Sequence, residues 1–379
     1  MRDYVEIGIG REARRTYDLD QISLVPTRRT RSSKDVDTTW HIDAYTFDVP
    51  LVSHPTDALA TPEFVIEMGK QGGGLGVINA EGLWGRHADL EAALAKVTEN
   101  PFDLSTLQEL HAAPLNEELL AERIAQVRDS GVTVAVRVSP QRARELAPVV
   151  IKAGAEILFI QGTLISAEHV QQGGEPLNLK EFIGSIDTPV IAGGVADYTT
   201  ALHLMRAGAA GIIVGSGVNT NAETVGIDVP MATTIADVAA ARRDYLDETG
   251  GRYVHVLADG DIFTSADIAK AIACGADSVV LGPVLARAAE AGGKGYYWPS
   301  TAGHPRFPRG VIEAADMDLI AAGYAPLSEP KQVSLEVILH GPSNEPHGQL
   351  NLVGGLQRAM AKCGYTDLKS FQKVGLAVR

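Results

Sequence analysis

Arg206-Ala-Gly-Ala-Ala-Gly-Ile-Ile-Val-Gly-Ser-Gly217 reads as a helix end, a glycine turn, a short apolar strand and a glycine-rich loop. Gly208 offers the left-handed residue that closes a helix. Gly211-Ile-Ile-Val214 is an apolar run too short for a helix, bounded by glycine. The form recurs. Lys152-Ala-Gly-Ala-Glu-Ile157 and Ala273-Cys-Gly-Ala-Asp-Ser-Val279 repeat it, with Gly154 and Gly275 in the place of Gly208.

Working outward, the same rhythm of apolar runs and alanine-rich helical stretches starts at Pro50. It predicts strands over Pro50–Ser53, Leu75–Ile78, Val132–Val138, Ile157–Gln161, Val190–Ala192, Gly211–Val214, Tyr253–Ala258 and Val279–Leu281. Strands alternating with helices give parallel βα units, and eight of them give a closed (β/α)8 TIM barrel, an α/β fold. An open doubly wound sheet is the competing architecture. Residues 1–50 form an irregular, charged N-terminal extension in this reading, with Arg28–Lys34 as a solvated basic loop. Gly8-Ile-Gly-Arg-Glu-Ala13 spells a dinucleotide fingerprint, but no proper strand precedes it, so it is set aside. Two connections exceed what a barrel needs. Residues 80–130 add helices after the second strand, clearest at Leu90–Val97 and Glu117–Arg128. Residues 283–335, rich in Gly, Pro and aromatics, form a long flap-like loop after the eighth. No shift in composition marks a boundary, so residues 1–379 are expected to form one domain.

With 45% hydrophobic and 21% charged residues, the chain has an ordinary globular composition. A formal charge of −14 argues against a nucleic-acid surface, which needs a basic stripe. It leaves room for a small nucleotide, because one pocket can differ from the whole surface. No apolar run is long enough for a membrane span and no leader pattern precedes Val5, so a cytoplasmic protein is expected. Cys274 and Cys363, the only cysteines, make neither a disulfide framework nor a zinc set. Cys274 belongs at the structural face of a barrel and Cys363 in the C-terminal tail, so neither is placed as a nucleophile.

A barrel keeps its chemistry at the C-terminal ends of its strands. The candidates there are Ser53-His-Pro-Thr-Asp57, Asn79, Gln161-Gly-Thr163, Gly193-Gly194, the loop 215–222, Asp259-Gly-Asp261 and Gly282-Pro283. The glycines of the last two suit a phosphate held on backbone N–H groups, or only tight turns. Asp259 directly follows a strand and is placed for a ligand hydroxyl, or for capping the next helix. His54, His255 and His304 have no metal-ligand spacing, and His255 reads as a packed or outward-facing residue of its strand. No metal site is expected.

These residues resemble the IMP dehydrogenase/GMP reductase family along nearly the whole chain. Thr16-Tyr-Asp-Leu-Asp-Gln-Ile-Ser-Leu-Val-Pro26 is similar to the family's opening, Pro50-Leu-Val-Ser-His-Pro-Thr-Asp57 to its P-L-V-S-A-P-M-D, and Gly72–Ile78 to its G-G-L-G-V-I. Leu257–Ile262 resembles I-A-D-G-G-I, and Asn351–Arg358 with Cys363–Tyr365 its closing segment. Asn79-Ala-Glu-Gly-Leu-Trp84 is similar to the stand-alone bacterial branch, which has no CBS domains. The resemblance implies NAD-dependent oxidation of IMP to XMP in GMP biosynthesis, or NADPH-dependent reductive deamination of GMP. It implies a thiolate that attacks the purine C2, a homo-oligomer (commonly a tetramer), and NAD as cofactor. Carried over by position, Ser53, Ser216, Gly217, Asp259, Gly260 and Gly282 would bind the purine nucleotide, and Gln161, Gly162 and Thr163 the cofactor. Counting back from Val229-Pro230 places Asn219 at the nucleophile and Thr220 after it. An amide is no nucleophile, so the covalent intermediate cannot form there. Asp261 replaces a glycine and Pro283 a serine beside the expected phosphate seat, Thr56 replaces a methionine, and Arg309-Gly-Val-Ile stands for R-G-M-G. Two readings stay open. One is an oxidoreductase with altered groups; the other is a catalytically silent barrel that binds a ligand or regulates an assembly.

Overall fold

Gly154, Gly208 and Gly275 take φ of 123°, 107° and 123°, so each repeat closes its helix on a residue without a Cβ. A computed structural model of the chain describes residues 4–71, 74–168, 177–218, 221–315 and 331–379. The apolar runs become eight parallel strands: β1 (Leu51–Ser53), β2 (Val77–Asn79), β3 (Ala135–Val138), β4 (Ile157–Gln161), β5 (Val190–Val195), β6 (Gly211–Gly215), β7 (His255–Asp259) and β8 (Ser278–Leu281). Their order is β1-β8-β7-β6-β5-β4-β3-β2, and the Val52–Leu75 bridge joins the two ends of the ring. β4, β5 and β6 are buried at every residue, as strands covered on both faces must be. The expected TIM barrel is the fold.

The strand limits differ from the sequence reading where side chains intervene. Val134 gives its N–H to Glu156 Oε2 at 2.9 Å, so β3 starts at Ala135 rather than Val132. β7 runs one residue further, to Asp259, which pairs with Gly215 of β6. That extra residue brings Asp259 to the mouth of the barrel.

Helices alternate with the strands. α1 (Pro62–Lys70) starts on Thr61, whose hydroxyl accepts the Phe64 N–H, with proline in the first turn. After β2 the chain adds α2 (Leu90–Glu99), α3 (Leu104–Ala112) and α4 (Glu117–Asp129). α2 and α4 lie where periodicity predicts them; α3 was not read from the sequence. Then follow α5 (Ala143–Ala153), α6 (Leu179–Gly184), α7 (Tyr198–Arg206), α8 (Asn221–Val225), α9 (Met231–Thr249) and α10 (Ser265–Cys274). α11 (Leu335–His340), α12 (Leu352–Cys363) and α13 (Leu368–Phe371) close the chain. Among the described residues no helix is long and apolar enough to cross a membrane.

The N-terminal extension corrects the sequence reading, because it is not irregular. Tyr4–Gly8 and Arg11–Arg14 form an antiparallel hairpin, and Ile22–Val25 pairs with Gly375–Val378. Trp40–Ile42 and Tyr45–Phe47 form a second hairpin that covers the N-terminal end of the barrel. Its Trp40 stacks on Phe47 with ring centroids 5.2 Å apart and donates from Nε1 to His255 Nδ1 at 3.4 Å. Burying these apolar side chains gives the segment its order. The basic loop is also more engaged than expected: Arg28 lies 4.4 Å from the centroid of the Tyr365 ring.

At that same end, Asp277 is held by Arg242 at 2.6 Å and Lys369 at 2.8 Å. His255 stands 4.0 Å from it, and burial pushes the imidazole down to about 4. It is a packed residue of the structural face.

Candidate functional site

At the C-terminal ends of β1 to β4 a cavity of about 560 Å³ opens under the flap. His54 follows β1, Asn79 ends β2, Arg137 lies in β3 and Gln161 ends β4; all four line the cavity. Ser216, from the loop after β6, lines it too, together with Gly162 and Thr163. The flap supplies Pro299 to Thr301, Gly303 to Pro305, and Arg309.

Beneath this surface sits Asp259, 1% exposed. Its carboxylate accepts from His54 Nδ1 at 3.0 and 3.1 Å and from Gln161 Nε2 at 2.7 Å. A carboxylate only accepts, so the proton on His54 lies on Nδ1, and the amide nitrogen of Gln161 faces Asp259. Gln161 Oε1 is left buried without a partner among the described residues. Gly217 accommodates the His54 ring: it has φ of 92°, and a Cβ there would lie 2.8 Å from His54 Cε1. Asp259, expected to meet a ligand hydroxyl or to cap the next helix, here meets His54, whose ring replaces a methyl of the family pattern, and Gln161.

The wall between β2 and β3 is polar. Arg137 donates to the Gln161 carbonyl at 2.7 and 3.1 Å, and to Asn79 Oδ1 and Glu81 Oε2 at 3.2 Å each. Glu81 also accepts from Ser139 N–H at 2.5 Å and its hydroxyl at 2.9 Å. Burial pushes the Arg137 guanidinium below its ordinary value and Glu81 opposes that. This pair carries its own counter-charge. Further out, Asp57 accepts the Leu83 N–H at 3.0 Å and faces His111 Nε2 at 3.3 Å. His111 lies under Gly303 of the flap, and Gln108 donates to the His304 carbonyl at 2.9 Å. The added helix α3 therefore holds the flap down. Thr56 anchors its other side by donating to the Trp298 carbonyl at 2.5 Å.

The remaining candidates lie elsewhere. Ser53 is fully buried, and its hydroxyl accepts the Val77 N–H at 3.1 Å. Gly260 is covered by Met231, whose sulfur would be 2.5 Å from a Cβ, and Gly282 by Tyr297, whose hydroxyl would be 2.8 Å away. Neither glycine lines the cavity. Burial raises the Tyr297 phenol well above its ordinary value, with Asp259 and Glu313 adding to it, so the hydroxyl keeps its proton. Asn219 and Thr220 lie outside the described residues. Cys274 ends α10 on the face opposite the mouth, and burial pushes its thiol up to about 12.

Sequence reasoning missed Arg86, Arg137, Arg142, Glu81 and His111. Arg137 did carry a signal, as a lone charge in the apolar strand Ala135-Val-Arg-Val138. The others lie on helices and turns where a charged residue is unremarked.

A family model described as IMP dehydrogenase / GMP reductase domain matches residues 16–379. A Mycobacterium tuberculosis protein described as an uncharacterized oxidoreductase is 61% identical over 99% of both chains. The inosine-5'-monophosphate dehydrogenase of Methanocaldococcus jannaschii is 26% identical over 96% of this chain and 92% of its own length. The crystal structure of an IMP dehydrogenase/GMP reductase-like protein from Corynebacterium glutamicum superposes with a TM-score of 0.92. It is 69% identical and covers 100% of this chain and 98% of the other.

Proposed function

The chain belongs to the IMP dehydrogenase/GMP reductase family, and on that premise we propose that it binds an IMP-type purine nucleotide and NAD without the family's covalent catalysis. The observation that carries this reading is the absence of a thiol at the mouth. The chain has two cysteines; one ends α10, the other ends α12, and both are buried. Asn219, with Thr220 after it, stands at the nucleophile's position in the sequence. The protein is then a purine-metabolism barrel of one domain whose ligand site outlasted its turnover, acting in the cytoplasm as a binding or regulatory member.

The size and one edge of the cavity support a nicotinamide cofactor, although the acid that the family pattern puts beside Gln161-Gly-Thr163 is absent. Its volume lies within the range of small-molecule sites. The unpartnered Gln161 Oε1 is an acceptor suited to an amide N–H, and Gly162 and Thr163 extend the same edge. When bound, NAD would supply a hydride acceptor. The chain's own residues orient: Gln161 and His54 fix each other through Asp259, and the flap lines the outer wall. His54 Nδ1 holds its proton toward Asp259 and away from the cavity. A homo-oligomer is supported by the N-terminal hairpin, which leaves Tyr4, Ile7 and Ile9 exposed.

The test mixes the protein with IMP and NAD, and with GMP and NADPH, and follows the absorbance of the reduced nicotinamide. No turnover is expected, while IMP at saturating concentration raises the melting temperature by about 3 °C. Turnover comparable to that of the Methanocaldococcus jannaschii enzyme sinks the silent reading. The absence of any shift with purine nucleotides sinks the binding one.

A further inference from the structure

The cavity wall carries four arginines, Arg86, Arg137, Arg142 and Arg309, against one acid, Glu81, in a chain of net charge −14. Arg137 and Glu81 neutralise each other. Arg142, which begins α5, shares its charge with Glu145 at 2.5 Å on the solvent side. Two guanidiniums remain. Arg86 is held by the carbonyl oxygens of Glu81 and Ala113, which fix its plane and leave its charge. Burial pushes it below its ordinary value and Arg142 pushes it in the same direction, while Asp57 and Glu81 oppose. Arg309 lies 5.7 Å from the Phe307 ring centroid; its Nε has no partner among the described residues, and burial lowers it too. Neither Arg86 nor Arg309 has a carboxylate within ion-pair distance among the described residues. Both are half-buried, with Asp57 and Glu81 acting on Arg86 only from a distance, so each guanidinium gains a charge-assisted contact when an anion comes against it.

A second observation points the same way. Gln161 lines this cavity, is 4% exposed, and leaves Oε1 without a donor among the described residues. The site therefore asks for an anion that also presents an N–H or O–H group. The glycine loops after β7 and β8 offer less. Met231 and Tyr297 cover them, Asp261 adds a negative charge next to one, and Pro283 removes an N–H from the other.

We propose that the phosphate of a bound phosphate ester is held by Arg86 and Arg309, on the β2–β3 and flap side of the mouth, and not by the glycine loops. This rests on the reading of the mouth as a nucleotide site and states where that site holds the charge. Guanidiniums match phosphate oxygens in pairs.

Calorimetric titration of the full chain tests it, with inorganic phosphate, pyrophosphate, IMP and NAD as probes. Arg309→Gln and Arg86→Gln are each expected to weaken the phosphate-bearing probes by about tenfold or more. Added salt should weaken them as well. Arg309→Gln is read alone if loss of the Arg86 carbonyl contacts unfolds the chain. Asp261→Gly is the counter-test: it leaves affinity unchanged if the arginines hold the phosphate, and tightens it if the glycine loops do. Tightening by Asp261→Gly, or affinity indifferent to both arginines, overturns the proposal, as does failure of every probe to bind. Phosphate or pyrophosphate binding without IMP or NAD binding keeps the arginine seat and removes the nucleotide reading. Arginine-dependent binding of NAD alone, or of IMP alone, supports the seat and identifies which ester uses it.

Discussion

Lowering the pH should loosen this barrel through His255. The imidazole lies at the structural end, edge-on to Tyr253 and Trp40, with its side chain 14% exposed. Burial holds it at about 4 against the usual 6.5, with Asp277 opposing and Lys369 and Arg242 assisting. The unfolded chain therefore takes up a proton below about pH 6.5, while the folded chain refuses it until about pH 4. Stability from this group is complete above that window and falls as the pH drops through it. Integrating the two titrations gives a loss of about 2 kcal/mol at about pH 5 relative to neutral pH, and about 3 kcal/mol at the bottom of the window. His255→Gln removes the titration and keeps an acceptor for Trp40 Nε1. Urea unfolding followed by tryptophan fluorescence, at neutral pH and at about pH 5, measures both proteins. The wild type should lose about 2 kcal/mol more than the variant. Parallel pH profiles for the two would refute the buried, neutral imidazole.

Asp277→Asn strands the buried Arg242 without its carboxylate. It should cost about 3–5 kcal/mol, read as a fall of about 4–6 °C in melting temperature. Burial would raise the Asp277 carboxyl, but Arg242, Lys369 and His255 together hold it below its ordinary value. Its contribution is therefore present above the usual carboxylate range and fades as pH falls through the folded value, which an acid series of melts checks. Burial raises both thiols, Cys274 to about 12. A disulfide reagent at mildly alkaline pH should find neither in the native protein and both after unfolding; one fast equivalent would contradict this. Asn219→Cys is expected to leave IMP and NAD unconverted, because Met231 and Tyr297 still cover Gly260 and Gly282. Robust reduction of NAD by that single variant would refute the account.

The barrel was legible because its signals are local. Gly154, Gly208 and Gly275 each mark a helix end within a few residues of a strand, and apolar runs such as Ile157–Ile160 need no distant partner to be read. The second hairpin, Trp40 to Phe47, was not legible, since Trp40, Ile42 and Phe47 become a buried face only against the barrel's lower end. The site divides along the same line. Gln161, Gly162, Thr163 and Ser216 could be placed by strand ends, and they do line the cavity. Arg86, Arg142 and His111 could not, because their relevance depends on helices inserted after β2 and on a flap more than 150 residues further along the chain. His54 was visible as a residue, yet its partnership with Asp259 spans 205 positions.

The joint between α3 and the flap has a consequence for descent and for engineering. Gln108 and His111 grip His304 and Gly303, so roof and hinge are written in two segments far apart in sequence. The two must change in step. A graft of either alone from a relative would bring a roof without its hinge, whereas both together form one transplantable cassette. Ligand preference can then be exchanged among members of the family while the eight strands stay untouched.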